Sequence, residues 1–154
     1  ASAHKGSPEK LEQILNSFKI PGIDFYKFQV YTPNHLGLIG SDTYELFNSL
    51  SIKYDDWANI LTRCPKPYFL EIFDIEGFIH AESNFNSIGY KIHTTNIDEF
   101  ELITKVAKTN KKIILSISGL TDIEIIKRLF IMERNMDKNN IYLSLGHQIG
   151  RAHV

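Results

Sequence analysis

Two lysines interrupt apolar, strand-like runs: Lys27 in Phe25-Tyr26-Lys27-Phe28-Gln29-Val30, and Lys91 in Tyr90-Lys91-Ile92. A lysine in such a run either snorkels its ammonium out at the strand end or aims it at an anion. Gln29 shares a face with Lys27, because side chains alternate along a strand. It is either a satisfied strand-end amide or a donor to the same ligand. Two hydroxyls fall where apolar runs stop: Thr94, three residues beyond Lys91, and Ser116, near the end of the aliphatic run 112–118. Cations combined with amide and hydroxyl donors suit a phosphate or carboxylate. Taken alone, either hydroxyl reads as a cap or turn group. Ser118-Gly119 can add backbone N–H donors at the start of the next helix.

Other reactive residue types offer less. No pair among His4, His35, His80, His93, His147 and His153 has the i, i+4 spacing of helical metal ligands, so no metal site is expected inside this chain. His93 reads as a buried or surface histidine. Cys64 stands at a helix end before Pro65 with no evident histidine partner, so it reads as packing. A single cysteine also excludes an internal disulfide framework and fits a reducing cytosol, which makes a cytoplasmic location the expectation.

Elements must position these side chains, and the composition allows an ordinary domain to do so. The chain has 154 residues, 43% hydrophobic and 23% charged, with a net charge of −1. Disorder is excluded, and no run of about 18 apolar residues exists to span a bilayer. Without a lysine or arginine cluster, nucleic acid and anionic membranes are not expected partners. The N-terminus, Ala1 to Lys10, is small and polar and lacks a signal-segment pattern.

Runs near 25–30, 68–73, 90–92, 112–118 and 141–145 read as buried strands. Helical patterns lie between them. Ser7-Pro8-Glu9 opens the first, with Leu11, Ile14, Leu15 and Phe18 as its apolar stripe. Ser51 is expected to cap a helix carrying Trp57, Ile60 and Leu61. Asn96 or Asp98 is expected to open one carrying Phe100, Ile103, Val106 and Ala107. Thr121 and Glu124 form a capping box. The segment 76–87, diluted by Gly77 and by asparagines and serines, is the weakest helical pattern.

Alternating strands and helices imply a parallel α/β fold. The strand starts are about 29 residues apart on average, close to one unit of a (β/α)8 barrel. Periodicity alone does not separate such a barrel from an open doubly wound sheet. The absence of glycine-rich nucleotide-binding turns favours the barrel. Five strands do not close it, so the expectation is an incomplete barrel over 1–149 with a non-periodic tail, 150–154. Its open rim is expected to be covered by a partner copy, as in a homodimer, or by missing barrel strands.

Several segments together resemble the sialic acid (N-acetylneuraminate) synthase family. Ala3-His4-Lys5-Gly6-Ser7 is similar to the loop before that family's first helix, and Tyr26-Lys27-Phe28-Gln29-Val30-Tyr31 to its second strand. Tyr44-Glu45-Leu46-Phe47 and Asp55-Asp56-Trp57 resemble the following helical stretch, Phe73-Asp74 the end of strand three, and Tyr90-Lys91-Ile92 strand four. Residues 107–111 and 113–116 resemble the segment that leads into strand five. The resemblance spans about residues 3–145 and implies a TIM-type (β/α)8 barrel, here from about strand two to strand six. It implies condensation of phosphoenolpyruvate with an N-acylated amino sugar to give a sialic-acid-like product. It assigns Lys27 and Lys91 to phosphoenolpyruvate and places Thr94 and Ser116 at its phosphate. Gln29, on the face of Lys27, is expected to join them, and the catalytic groups are left unassigned. It also implies manganese or magnesium, held by histidines of later strands that this chain does not contain.

Two positions depart from the family pattern. Glu71 stands where the family tends to carry a small hydroxyl residue, and a carboxylate there repels an anionic ligand unless a lysine neutralises it or it points elsewhere. Asn96 replaces an acid. Three readings follow: a synthase or its N-terminal part, a catalytically degenerate relative that binds a sugar or phosphate, or a structural fragment.

Overall fold

The computed structural model describes residues 3–17, 21–96 and 99–144. They belong to two compact units, residues 1–88 and 89–154, in which parallel strands alternate with helices. The stretch Leu145-Gly146-His147-Gln148, His153 and the expected tail 150–154 lie outside the described residues, as do Phe18 and Asp98.

In the first unit, α1 (Pro8–Ser17) starts where the Ser7 hydroxyl accepts the Lys10 N–H at 3.1 Å, and it buries Leu11 and Leu15. Strand β1 (Tyr26–Gln29) leads through a short 3-10 turn, Pro33–His35, to α2 (Asp42–Leu50) and α3 (Tyr54–Leu61). Ser51 does not cap α3. Its hydroxyl donates to the Asn48 carbonyl at 2.9 Å and closes α2 instead. Burial of Ile52 holds the link extended, so α3 begins only after Lys53.

Strand β2 (Tyr68–Ile72) is buried at all five positions, and β1 pairs with it in parallel, with Gln29 opposite Glu71. Helix α4 (Ile75–Asn84) forms despite its diluted pattern, because the Asp74 carboxylate accepts the Gly77 N–H at 2.6 Å.

Helices cover one face of this strand pair. Phe28 packs on Trp57 and Tyr68, with ring centroids 5.7 and 5.8 Å apart. Even-numbered residues of β1 and β2 therefore face the helices. Lys27, Gln29, Phe69 and Glu71 share the opposite face.

In the second unit, β3 (Gly89–Ile92), β4 (Lys112–Ser116) and β5 (Ile141–Ser144) pair in parallel, as the sequence predicts. Tyr90, Ile92, Ile113 and Leu115 are fully buried, as are Leu102, Ile103, Val106 and Ala107 of α5 (Phe100–Lys108). Asn96 does not open α5. It ends a 3-10 turn, Thr94–Asn96, and its side-chain amide donates to Glu99, which takes the cap position. Helix α6 (Asp122–Glu133) begins on the expected capping box of Thr121 and Glu124. Its Arg128 is buried, donating to the Glu124 carbonyl and lying 5.7 Å over the Phe100 ring. Ile123, Ile126 and Phe130 of α6 and Tyr142 and Leu143 of β5 are exposed.

Candidate functional site

Parallel strands in α/β folds present their ligands at their C-terminal ends. Gln29 and Ser116 end their strands, Lys91 is next to last in β3 and Thr94 lies in the turn beyond, whereas Lys27 is the second residue of β1. In the first unit, Lys27 and Gln29 lie on the β1 face turned away from the helices. The structure adds Glu71 to them. The Glu71 carboxylate, 1% exposed, forms an ion pair with the Lys27 ammonium, whose side chain is a third exposed. The β1–β2 register produces this contact. Glu71 lies beside Gln29, two residues ahead of the position opposite Lys27, and a lysine side chain spans that diagonal. A carboxylate buried inside a strand requires such a partner, since desolvation would otherwise force it neutral. Of the two outcomes left open for Glu71, neutralisation by a lysine is the one found.

In the second unit, Lys91 is half-buried and stands opposite Ile114. Ser116 is two residues further along β4, so its buried side chain shares the face of Lys91 at the strand's C-terminal end. Thr94, half-buried, follows in the 3-10 turn after β3, with His93 half-buried between strand and turn. This unit therefore gathers a cation and a hydroxyl on one sheet face, with a second hydroxyl in the adjoining turn.

A polar group not anticipated from the sequence surrounds the end of β2. Asp74 caps α4 with one carboxylate oxygen and holds His35 Nδ1 with the other at 2.7 Å. The Thr32 hydroxyl lies 3.1 Å from the Tyr54 phenol, and the Tyr54 ring stacks on His80 with centroids 4.0 Å apart. Burial pushes the Tyr54 phenol above its ordinary range, opposed by the Thr32 hydrogen bond and reinforced by the Asp74 and Glu76 carboxylates. The available signal was Asp74 three residues before Gly77, with Glu76 in the first turn: an N-cap pattern.

A cleft of about 480 Å3 lies at the opposite, N-terminal end of β2, lined by Cys64, Pro67, Tyr68, Asn84, Phe85 and Ile88 among others. Burial pushes the Cys64 thiol up, away from the reactive thiolate, which suits packing. Among the described residues, no three His, Cys, Asp or Glu side chains come together as metal ligands. The described residues thus do not make up a ligand set for the manganese or magnesium that the resemblance implies. No helix among them is long and apolar enough to cross a membrane.

Comparison with known proteins places this geometry. The N-acetylneuraminic acid (sialic acid) synthetase of Leptospira borgpetersenii serovar Hardjo-bovis superposes with a TM-score of 0.82 at 16% identity, over 92% of this chain and 50% of that one. The spore coat polysaccharide biosynthesis protein spsE of Bacillus subtilis gives 0.74 at 18% identity, over 92% and 40%. The uncharacterized protein MJ1065 of Methanocaldococcus jannaschii is 28% identical over 144 residues, 91% of this chain and 42% of that protein. The chain thus spans about half the length, or less, of the proteins it matches. The structural likeness shows the fold, a TIM-type (β/α) barrel that is partial in this chain. The NeuB family model matches residues 14–145, most of the chain, and the chain belongs to the NeuB family.

Proposed function

We propose that this chain is the N-terminal part of a sialic-acid-like synthase, or such a synthase completed by association. The reaction joins phosphoenolpyruvate to an N-acylated amino sugar. The methylene carbon of phosphoenolpyruvate forms the new C–C bond to the sugar aldehyde carbon, water supplies oxygen to the former enol carbon, and phosphate departs. In the second unit Lys91, with Thr94 and Ser116, is read as a phosphate anchor, and in the first unit Lys27 and Gln29 are read as anion-binding residues. The observation that carries this reading is the shared sheet face of Lys91 and Ser116 at strand C-termini, in a chain of the NeuB family. A divalent metal belongs to the same reading, with its ligands outside this chain. A cytoplasmic location and a second copy or further barrel strands over the exposed β5 and α6 side chains belong to it as well.

The test is incubation with phosphoenolpyruvate, manganese and a panel of N-acylated amino sugars, reading phosphate release and formation of a 2-keto sugar acid together. Phosphate release that depends on the sugar supports the synthase. Anion binding without turnover supports instead a degenerate relative that binds sugar or phosphate. That second reading is favoured by one observation: Glu71 already occupies Lys27.

A further inference from the structure

We propose that Glu71 sets the anion selectivity of this site, as an internal counter-ion that competes with the ligand for Lys27. The inference deepens the proposed function, because it takes Lys27 as part of the anion site. Every residue of β2 is buried and the Glu71 side chain is 1% exposed, so its carboxylate is shielded from water. Lys27 is among its partners, and the lysine side chain, a third exposed, is the more accessible member of the pair. Gln29 lies in register beside Glu71 on the same face. An anion arriving at this end of β1 therefore meets an ammonium already compensated, with a fixed carboxylate next to it. To bind Lys27, the anion must draw it off a buried carboxylate, which is unfavourable. Ligands of high negative charge are penalised most. Neutral or singly charged groups, recognised through Gln29, are penalised least.

The experiment is titration with inorganic phosphate of the wild-type chain, Glu71→Gln and Glu71→Gln/Lys27→Met, with circular dichroism confirming that each is folded. Glutamine keeps the shape of glutamate and removes the charge. Glu71→Gln is expected to bind phosphate about tenfold or more tightly, the scale of one charge-assisted hydrogen bond, and the double variant is expected to lose that gain. Unchanged or weaker binding by folded Glu71→Gln, or a gain that persists without Lys27, overturns the proposal. Lys91→Ala in the wild-type background tests the proposed function separately. If it leaves phosphate affinity intact, that site assignment fails, while the Glu71 effect is still read at Lys27. A second measurement needs neither ligand nor variant: acylation of lysine amines followed by mass spectrometry. Lys27, held by Glu71, should react several-fold more slowly than the exposed Lys53, and equal rates would overturn the pairing on which the proposal stands.

Discussion

His35 Nδ1 lies 2.7 Å from Asp74 Oδ2, while Asp74 Oδ1 accepts the Gly77 N–H at 2.6 Å. One carboxylate thus ties the turn after β1 to the first turn of α4, and it does so at the C-terminal end of β2. Asp74→Ala should destabilise the protein by about 1–2 kcal/mol, the usual worth of an N-cap. Asp74→Asn, which can still accept from Gly77, should recover most of that loss. Urea denaturation of the three proteins measures it, and equal midpoints for Ala and wild type would show the cap to be idle.

Gly6, in the loop before α1, lies against the backbone of Ser49 and Leu50 in α2 and leaves no room for a side chain. Gly6 has φ +74°, and a Cβ there would stand 2.3 Å from the Ser49 carbonyl oxygen. Gly6→Ala should therefore cost more than about 2 kcal/mol, from left-handed backbone strain plus a backbone clash. Gly22, also at positive φ but with open space around its Cβ position, is the comparison. Gly22→Ala should cost only about 1 kcal/mol, the backbone part alone. Thermal melts of both variants separate the clash from the strain.

His4 packs edge-on against Trp57 and accepts the Gly6 N–H on Nδ1 at 3.1 Å, an arrangement for a neutral imidazole. Burial holds its pKa below the ordinary histidine value. A group whose pKa is lower in the folded state than in the unfolded one stabilises the fold above the unfolded pKa. That stabilisation is lost as pH falls through the folded pKa. Stability should thus decline on acidification from neutrality through the imidazole range. NMR titration of His4 reads the shift directly, and a pKa at or above that of an unfolded peptide would refute it.

The capping box of α6 makes a second pH-dependent contribution at lower pH. The Glu124 carboxylate accepts the Thr121 N–H and hydroxyl, each at 2.8 Å, and these bonds hold its pKa below the usual glutamate value. The sign is that of a depressed acid: stabilisation is present above the unfolded pKa and fades as pH falls through the folded one. Thr121→Ala should cost about 1 kcal/mol at neutral pH. Glu124→Gln should flatten the acid limb of the stability profile, seen as a smaller drop in melting temperature between neutral and acidic buffer.

For the site itself, Lys91→Ala should weaken phosphoenolpyruvate or phosphate binding by about ten- to a hundredfold, the loss of one desolvated charge-assisted contact, and leave folding nearly intact. Lys53→Ala, at the exposed start of α3, is the control and should change binding little. Calorimetric titration distinguishes them. Equal, small losses would reduce Lys91 to a solvated strand-end lysine.

The sequence by itself determined the alternation of five strands and their helices, because each element carries its own periodicity and its own start signal. Ser7-Pro8-Glu9 and the Thr121–Glu124 box act within one helical turn, and both stand in the structure where the residues predict. Parallel pairing followed from the same local pattern, since a helix between two strands returns the chain to the same end. Caps were less legible where two elements compete for one hydroxyl: Ser51 closes α2 rather than opening α3, and burial of Ile52 decides between them. Only the tertiary structure decided what Lys27 does. Its partner is 44 residues away, and whether Glu71 meets it or points elsewhere depends on strand register. A shift of one residue would have turned the carboxylate onto the helix-covered face. The His35–Asp74 and Tyr54–His80 contacts are of the same kind. No local pattern joins a loop histidine to a helix cap 39 residues on, because such pairs form only where packing brings strand ends together.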